Sequence, residues 1–95
     1  MAHVYILASA YNGTLYVGST ARDLNARVAE HKSGQGSEFT AKYSVFNLVW
    51  FEQFDELSAA QAAEFRIKKW KRNWKINLIE KMNPAWKDLS MEMLQ

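Results

Sequence analysis

The sequence predicts an α+β fold in which a small three-stranded antiparallel sheet is flanked by helices. Two segments rich in Val, Ile, Leu and Tyr, His3–Ser9 and Thr14–Ser19, flank Asn12-Gly13, which is a strong hairpin signal. A third segment of this kind, Asn47–Phe54, is typical of a largely buried strand. Segments with helical periodicity separate and follow the strands, without internal repeats or linkers. We therefore expect one domain over residues 1–95.

The composition excludes several classes of protein. Hydrophobic residues make up 48% of the chain, which is too many for a disordered protein. No apolar run approaches the roughly 18 residues of a membrane span, and no secretory signal is evident, so we expect a cytoplasmic protein without membrane contact. The chain has no cysteine, which excludes disulfides, thiolate metal sites and a cysteine nucleophile.

The hairpin determines where the first two candidate residues lie. A two-residue turn at Asn12-Gly13 pairs position i with position 25 minus i, so Tyr5, Tyr16 and Gly18 point to one face of the sheet. The two tyrosines are then offset by four residues, which is about 13 Å along the strands. Twist or a bulge would have to shorten that gap, and a slip of one residue would place the tyrosines on opposite faces.

The first helix is predicted from about Asp23 to Lys32, capped by Thr20 or Asp23 and ended near Ser33-Gly34. Its inward face, read at helical spacing, contains Arg27 and His31 beside two apolar residues. A buried arginine is costly unless it is paired, so Arg27 either meets a structural acid or opens into a cleft, and we favour the cleft. His31 fits a hydrogen-bonded structural role and a functional role alike.

The second predicted helix carries an isolated acid on an apolar face. A short helical turn is expected first, at Phe39–Tyr43. Ser58 with Gln61 then forms a capping box that opens the second helix, which runs to about Trp70. Glu64 lies among small apolar neighbours on that helix. One carboxylate with water and substrate oxygens suits magnesium, but a salt bridge from Glu64 to Arg27 or Lys68 explains the residue equally well.

Half of the twelve lysines and arginines fall within the ten residues from Arg66 to Lys75, called here the basic segment, with no acid among them. Such a segment attracts polyanions without reading sequence, although a solvated helix face is an equally good interpretation. For the four tryptophans, core packing is favoured over base stacking. The candidate nucleic-acid-binding residues are Lys68, Lys69, Lys71, Arg72 and Lys75.

Two further helices complete the prediction. One runs from about Arg72 to Met82 with Trp74, Leu78 and Met82 in line along it. Asn83-Pro84 then has the pattern of a cap followed by proline at the first helical position, which predicts a last helix through Trp86, Leu89 and Met93.

Five short motifs follow one another along the chain: His3-Val4-Tyr5, Tyr16-Val17-Gly18, Asp23-Leu24 with Arg27 and His31, Glu64, and Ile67-Lys68-Lys69-Trp70 with Trp74-Lys75. Each triplet alone is a weak signal, whereas all five in this order are specific. In this arrangement the chain resembles the GIY-YIG nuclease superfamily, in particular its small stand-alone bacterial branch, from about Val4 to Trp86.

The resemblance implies a role for each matching residue. Glu64 would be the single protein ligand of one Mg²⁺ or Mn²⁺ ion at the scissile phosphate. Tyr5 would orient or deprotonate the attacking water, with Tyr16 sharing or supporting that task. Arg27 would hold a non-bridging phosphate oxygen, and His31 would help to position the water or the tyrosine. Because a free tyrosine has a pKa of about 10, the metal and Arg27 would have to lower the pKa of Tyr5.

Three positions depart from the family pattern. His3 stands where the first triplet has glycine, and Ser19-Thr20 stand where many relatives carry a lysine. Asn77 is the nearest counterpart of an asparagine that some relatives carry after the metal glutamate. The missing lysine is compatible with weak or conditional activity.

The resemblance implies a metal-dependent endonuclease that hydrolyses DNA, with RNA left open as a substrate. We expect cleavage directed by structure, because no sequence-reading helix or long arm is evident. The alternative is a non-catalytic nucleic-acid-binding module that uses the basic segment, and a protein-interaction domain is a third interpretation. A homodimer, or a larger DNA-processing complex in a pathway such as DNA repair, is compatible with so small a surface.

Overall fold

The computed structural model describes residues 1–90, which contain one three-stranded antiparallel sheet and four helices. The strand order is β2-β1-β3, so β1 is central and β2 lies at an edge. The predicted α+β fold is therefore confirmed. In chain order the elements are β1 (Ala2–Ala8), β2 (Leu15–Thr20), α1 (Leu24–Lys32), α2 (Glu38–Tyr43), β3 (Asn47–Phe54), α3 (Leu57–Lys68) and α4 (Arg72–Met82).

The hairpin between β1 and β2 differs from its predicted register by two residues, because Tyr5 pairs with Gly18. The loop has four residues instead of two: the carbonyl of Ala10 accepts from the amide of Gly13 at 2.9 Å, and Asn12 takes the left-handed conformation with φ 55°. A shift of the register by two residues leaves each side chain on the same face of the sheet. The tyrosines therefore share a face as predicted, and Tyr16 is offset from Tyr5 by two residues instead of four.

Both faces of the sheet are buried, and each face is covered by different helices. One cluster joins Val4 and Ile6 to apolar residues of α3 and α4, and a second joins Tyr5 and Leu7 to residues of α1. Successive strand residues point to opposite faces, which explains why β1 is apolar throughout except for His3. Helix α1 consequently approaches one face of the sheet and α3 approaches the other, with the edge strand β2 between them.

The helix ends show which local signals were correct. Asp23 caps α1 by accepting from the amide of Ala26 at 3.2 Å, as one of the two predicted caps. The capping box predicted for α3 is wrong, because Glu56 occupies the cap position without a side-chain bond and Ser58 lies inside the helix. The hydroxyl of Ser58 donates to the Glu56 carboxylate instead, at 3.4 Å. Helix α3 ends at Lys68, two residues before the predicted end.

Helix α4 has the predicted bounds but a different buried face. Its buried residue is Ile79, whereas Trp74 is 57% exposed and Met82 is 47% exposed. The core role predicted for the tryptophans holds for Trp50 and Trp86, which are buried, and is wrong for Trp74. Helix α4 packs on the core through Ile79 and Leu78, and this orientation leaves Trp74 and Met82 facing solvent.

The helix predicted after Asn83-Pro84 does not begin there. Asn83 ends α4, residues 84–89 form turns and irregular chain, and helical structure returns only at Ser90, the last described residue. The Asn83 side-chain amide donates to the carbonyls of Val49 and Lys87, so it ties the segment to β3 instead of starting a helix. Met93, the last residue of the predicted helix, lies outside the described residues. Within residues 1–90, every helix is too short or too polar to span a membrane.

Candidate active site

Gly18 lets the ring of Tyr5 lie directly against the edge strand. A Cβ atom at Gly18 would lie 2.7 Å from the Cζ and hydroxyl oxygen of Tyr5 and 3.0 Å from Cε2 of Tyr16. The two tyrosine rings have centroids 6.5 Å apart. Tyr5 is fully buried and Tyr16 is half-buried. The glycine therefore creates the space for the tyrosine pair, and Tyr16 is the member of the pair that reaches the surface.

His31 is fully buried beside both tyrosines and forms hydrogen bonds through both ring nitrogens. Its Nε2 lies 3.0 Å from the hydroxyl of Tyr5, and its Nδ1 lies 3.0 Å from Oγ1 of Thr40. The Thr40 hydroxyl also lies 2.9 Å from the Ser37 hydroxyl and 3.2 Å from the Ser37 carbonyl. A neutral histidine has one donor and one acceptor nitrogen, so one of the bonds to Tyr5 and Thr40 is donated by the ring and the other is accepted by it. Thr40 was not predicted from the sequence.

Burial keeps both members of this hydrogen bond neutral. It lowers the pKa of His31 to about 4, and the charge of Arg27 acts in the same direction. It also raises the pKa of Tyr5 to about 12. Arg27 opposes that rise by bonding to Tyr5, as expected, but burial outweighs it, and the carboxylate of Glu64 raises the pKa of Tyr5 further. At neutral pH Tyr5 therefore keeps its hydroxyl proton.

Arg27 is partly exposed and is not sealed by a buried acid. Its Nη2 donates to the carbonyl of Gly36 at 3.1 Å, its Nη1 is 3.8 Å from the Glu30 carboxylate, and its side chain is 24% exposed. Gly36 also packs on the His31 ring so closely that a Cβ there would lie 2.2 Å from Nδ1. The guanidinium therefore keeps surface on which a phosphate could bind. Gly36, which positions both side chains, was missed by the sequence analysis.

Glu64 approaches from α3, on the other side of β2. The Ser19 hydroxyl donates to its Oε1, and Nζ of Lys68 lies 2.5 Å from its Oε2, so the predicted salt bridge to Lys68 exists. The Glu64 side chain is 20% exposed, so its carboxylate can be reached from solvent. No group of three or more His, Cys, Asp or Glu residues that could hold a metal occurs within residues 1–90. A single carboxylate of this kind suits only an ion that takes most of its ligands from water and substrate, as Mg²⁺ does.

The basic segment does not form one free cationic face. Four of its five candidate binding residues have partners within the protein, and Lys71 is exposed at the start of α4. Lys68 pairs with Glu64, and Nζ of Lys69 lies 4.1 Å from the centroid of the Phe65 ring. Arg72 donates to the carbonyls of Asn12 and Gly13 at 2.8 and 2.6 Å. Lys75 donates to the carbonyl of Lys68 at 3.3 Å.

Asn77 lies apart from the tyrosines and Glu64. It is exposed on α4 and lines a groove with Trp70, Trp74 and Lys81. Among the described residues, Asn77 makes no hydrogen bond to Glu64. The structure therefore does not bring this candidate together with the others.

Two exposed aromatic side chains of α2 extend the site. The ring centroid of Phe39 lies 6.1 Å from that of Tyr16 and 4.9 Å from that of Tyr43, and Nζ of Lys42 lies 5.5 Å from the Tyr43 ring centroid. Phe39 is 42% exposed and Tyr43 is 48% exposed. We call Phe39 and Tyr43 the aromatic rim. The sequence analysis placed both on a helical turn but assigned them no function.

Comparison with known proteins identifies the class of domain to which this site belongs. The chain matches the family model of the GIY-YIG catalytic domain over residues 1–77 and belongs to that family. It is 35% identical over 79 residues to UPF0213 proteins of Staphylococcus aureus strains Mu3 and N315, covering 83% of this chain and 95% of theirs. The solution NMR structure of the UPF0213 protein BH0048 from Bacillus halodurans is similar over 93% of each chain, with 29% identity and a TM-score of 0.55.

Membership confirms the resemblance stated from the motifs. It implies nuclease activity, and nucleases of this family act on DNA and generally use divalent metals.

Proposed function

We propose that this protein is a divalent-metal-dependent endonuclease that hydrolyses phosphodiester bonds of DNA at non-duplex structures. The observation that carries the proposal is the arrangement at the edge of β2. Tyr16 and Arg27 are partly exposed beside the buried pair of Tyr5 and His31, and Glu64 approaches the edge strand from its other side. A hydroxyl, a guanidinium and a carboxylate, which are the groups that phosphodiester hydrolysis uses, therefore lie on or near one edge strand.

Arg27 is the phosphate-holding residue in this proposal. Its guanidinium bonds to the carbonyl of Gly36 and to Tyr5, which orients it, and its five N–H donors leave part of the fork free. Charge-assisted bonds from arginine to phosphate oxygens are strong and directional, and they become more favourable as charge grows on the phosphoryl group.

The two tyrosines contribute to the site in different ways. Tyr16 offers the accessible hydroxyl face, whereas Tyr5 is buried and hydrogen-bonded to Nε2 of His31. Burial raises the pKa of Tyr5 and lowers the pKa of His31, so both stay neutral near pH 7. The hydrogen bond between them therefore fixes the position of the Tyr5 hydroxyl, and Tyr16 is the tyrosine that can reach a water.

Glu64 would hold Mg²⁺ or Mn²⁺ on the opposite side of β2. A divalent ion there supplies charge stabilisation for the phosphoryl and leaving oxygens. Glu64 acts electrostatically on Tyr5 across the edge strand, which supports assigning both residues to one site.

The aromatic rim supports a preference for non-duplex DNA. Phe39 and Tyr43 expose ring surface next to Tyr16, with the ammonium group of Lys42 beside them. Unpaired bases can stack on such rings, whereas the bases of a duplex are already stacked on one another. Structure-directed cleavage of this kind suits DNA processing in the cytoplasm, including repair.

The test is a cleavage assay on labelled single-stranded, branched and duplex DNA with Mg²⁺ or Mn²⁺. Wild type is compared with Glu64→Gln and with Glu52→Gln, a matched control at an exposed position on β3. We expect the wild type and Glu52→Gln to cleave single-stranded or branched DNA better than duplex. Glu64→Gln should show only background cleavage, because it lacks the negative charge that attracts the ion.

Two results would contradict the proposal. Cleavage that persists in purified Glu64→Gln and in chelator would show that Glu64 does not hold a required metal. A preference for duplex DNA would show that the aromatic rim does not select unpaired bases. If the wild type binds nucleic acid but cuts none of these substrates, the alternative of a non-catalytic module that binds through the basic segment replaces the enzyme.

A further inference from the structure

We infer that Ser19 and Lys68 position Glu64 for its ion: Ser19 anchors one carboxylate oxygen, and Lys68 occupies the cation position on the other until the metal displaces it. The inference rests on the proposed function in one respect, since it takes Glu64 as the metal ligand. It assigns a task to Ser19, which lies outside the family motifs, and to Lys68 a task other than binding nucleic acid.

Ser19 is placed for this task by the alternation of β2. Val17 and Ser19 face α3, whereas Tyr16 and Gly18 face the other side of the sheet. The one proton of the Ser19 hydroxyl is donated to Oε1 of Glu64, so this oxygen is held by the strand. The carboxylate is then fixed in rotation, and Oε2 is the oxygen left for a cation.

Lys68 supplies that cation in the metal-free protein. It lies one helical turn after Glu64, and its Nζ is 2.5 Å from Oε2. The Lys68 side chain is 49% exposed, so its ammonium group can leave for solvent without opening the fold. Exposed pairs of this type are weak, and a divalent ion carries twice the charge, so the lysine holds the site only until the metal arrives.

The placeholder role and an ordinary surface salt bridge predict different results. If the pair only stabilises α3, removing Lys68 lowers stability slightly and leaves metal affinity unchanged. If Lys68 occupies the ion's position, removing it abolishes a competitor and a repulsive charge, so the affinity for metal rises. Removing the Ser19 hydroxyl has the opposite effect, because Glu64 is then free to rotate away.

The test is Mn²⁺ binding to the full chain without DNA, measured by electron paramagnetic resonance of the free ion. We expect Lys68→Met to bind about 2- to 5-fold more tightly than wild type. Ser19→Ala should bind about 10-fold more weakly. Lys68→Arg and Ser19→Thr, which retain the charge and the hydroxyl, should return toward wild type. Lys87→Met and Ser58→Ala, at exposed positions, are the matched controls.

The outcomes separate this inference from the proposed function. Glu64-dependent binding that is equal in wild type, Lys68→Met and Ser19→Ala overturns the positioning roles and leaves the nuclease standing. A loss of affinity in Lys68→Met also overturns the positioning roles. They are overturned as well if the protein cleaves DNA with Mn²⁺ but binds no Mn²⁺ through Glu64. Absence of both binding and cleavage overturns the metal-dependent function as well. Thermal unfolding in metal-free buffer checks that every variant is folded.

Discussion

His31 is expected to make the protein lose stability as the pH falls from 6.5 to 4. The ordinary pKa of histidine is 6.5, and burial lowers the pKa of His31 to about 4 in the folded state. Above pH 6.5 the residue is neutral in both states and has no effect. Between the two values the unfolded chain binds a proton that folded His31 does not bind, so acid favours unfolding. Each pH unit changes the free energy of unfolding by about 1.4 kcal/mol, which gives a loss of about 3 kcal/mol at pH 4.

The measurement is urea unfolding from pH 7.5 to pH 4.5 for wild type, His31→Asn and His3→Gln. His31→Asn should be less stable at pH 7.5, because it lacks the bonds to Tyr5 and Thr40, and its stability should change less with pH. His3→Gln is the matched control and should keep most of the wild-type slope. Burial raises the pKa of Asp88, but hydrogen bonds from Lys32 and Ser90 lower it further than burial raises it. Asp88 therefore changes the stability only below about its ordinary pKa of 3.8, outside the pH range of this measurement. Equal slopes in wild type and His31→Asn would refute the reasoning.

Two further predictions concern close contacts. Gly18→Ala places a methyl group 2.7 Å from the Tyr5 ring, so we expect about 1–3 kcal/mol lower stability in urea together with slower DNA cleavage; a variant that keeps full activity would contradict the packing described. Asn83→Ala removes the hydrogen bond to the carbonyl of Val49 and should lower the free energy of unfolding by about 2–3 kcal/mol. The control Asn73→Ala, on the exposed side of α4, should change it by less than about 0.5 kcal/mol. Equal effects would show that Asn83 does not tie this segment to β3.

Much of the fold was predictable because it follows from local patterns. The bounds of β3 and α4, and the cap of α1 at Asp23, agree with the sequence analysis. The errors arose where two local solutions compete. Asn12-Gly13 is compatible with loops of two or four residues, and Asn83 can cap a new helix or bond to a neighbouring strand. Packing against the rest of the molecule decides between such alternatives.

The candidate site divides in the same way. The sequence placed Tyr5 and Tyr16 on one face and Arg27 beside His31 on one helix, and the structure agrees. The basic segment shows what the sequence could not predict: its positive charges are evident from the sequence, but the residues that they contact are not. Arg72, for example, bonds to the hairpin loop about 60 residues earlier in the chain.

The sequence by itself determined which side chains share a face, because strands repeat every two residues and helices every 3.6, and these periods need no knowledge of distant contacts. It also determined the family, because the motifs and their order are properties of the chain. Only the tertiary structure decided that Tyr5 is buried against His31, that Thr40 hydrogen-bonds to the other nitrogen of that histidine, and that Ser19 meets Glu64. These contacts join residues from different elements, so they exist only once the helices have packed on both faces of the sheet.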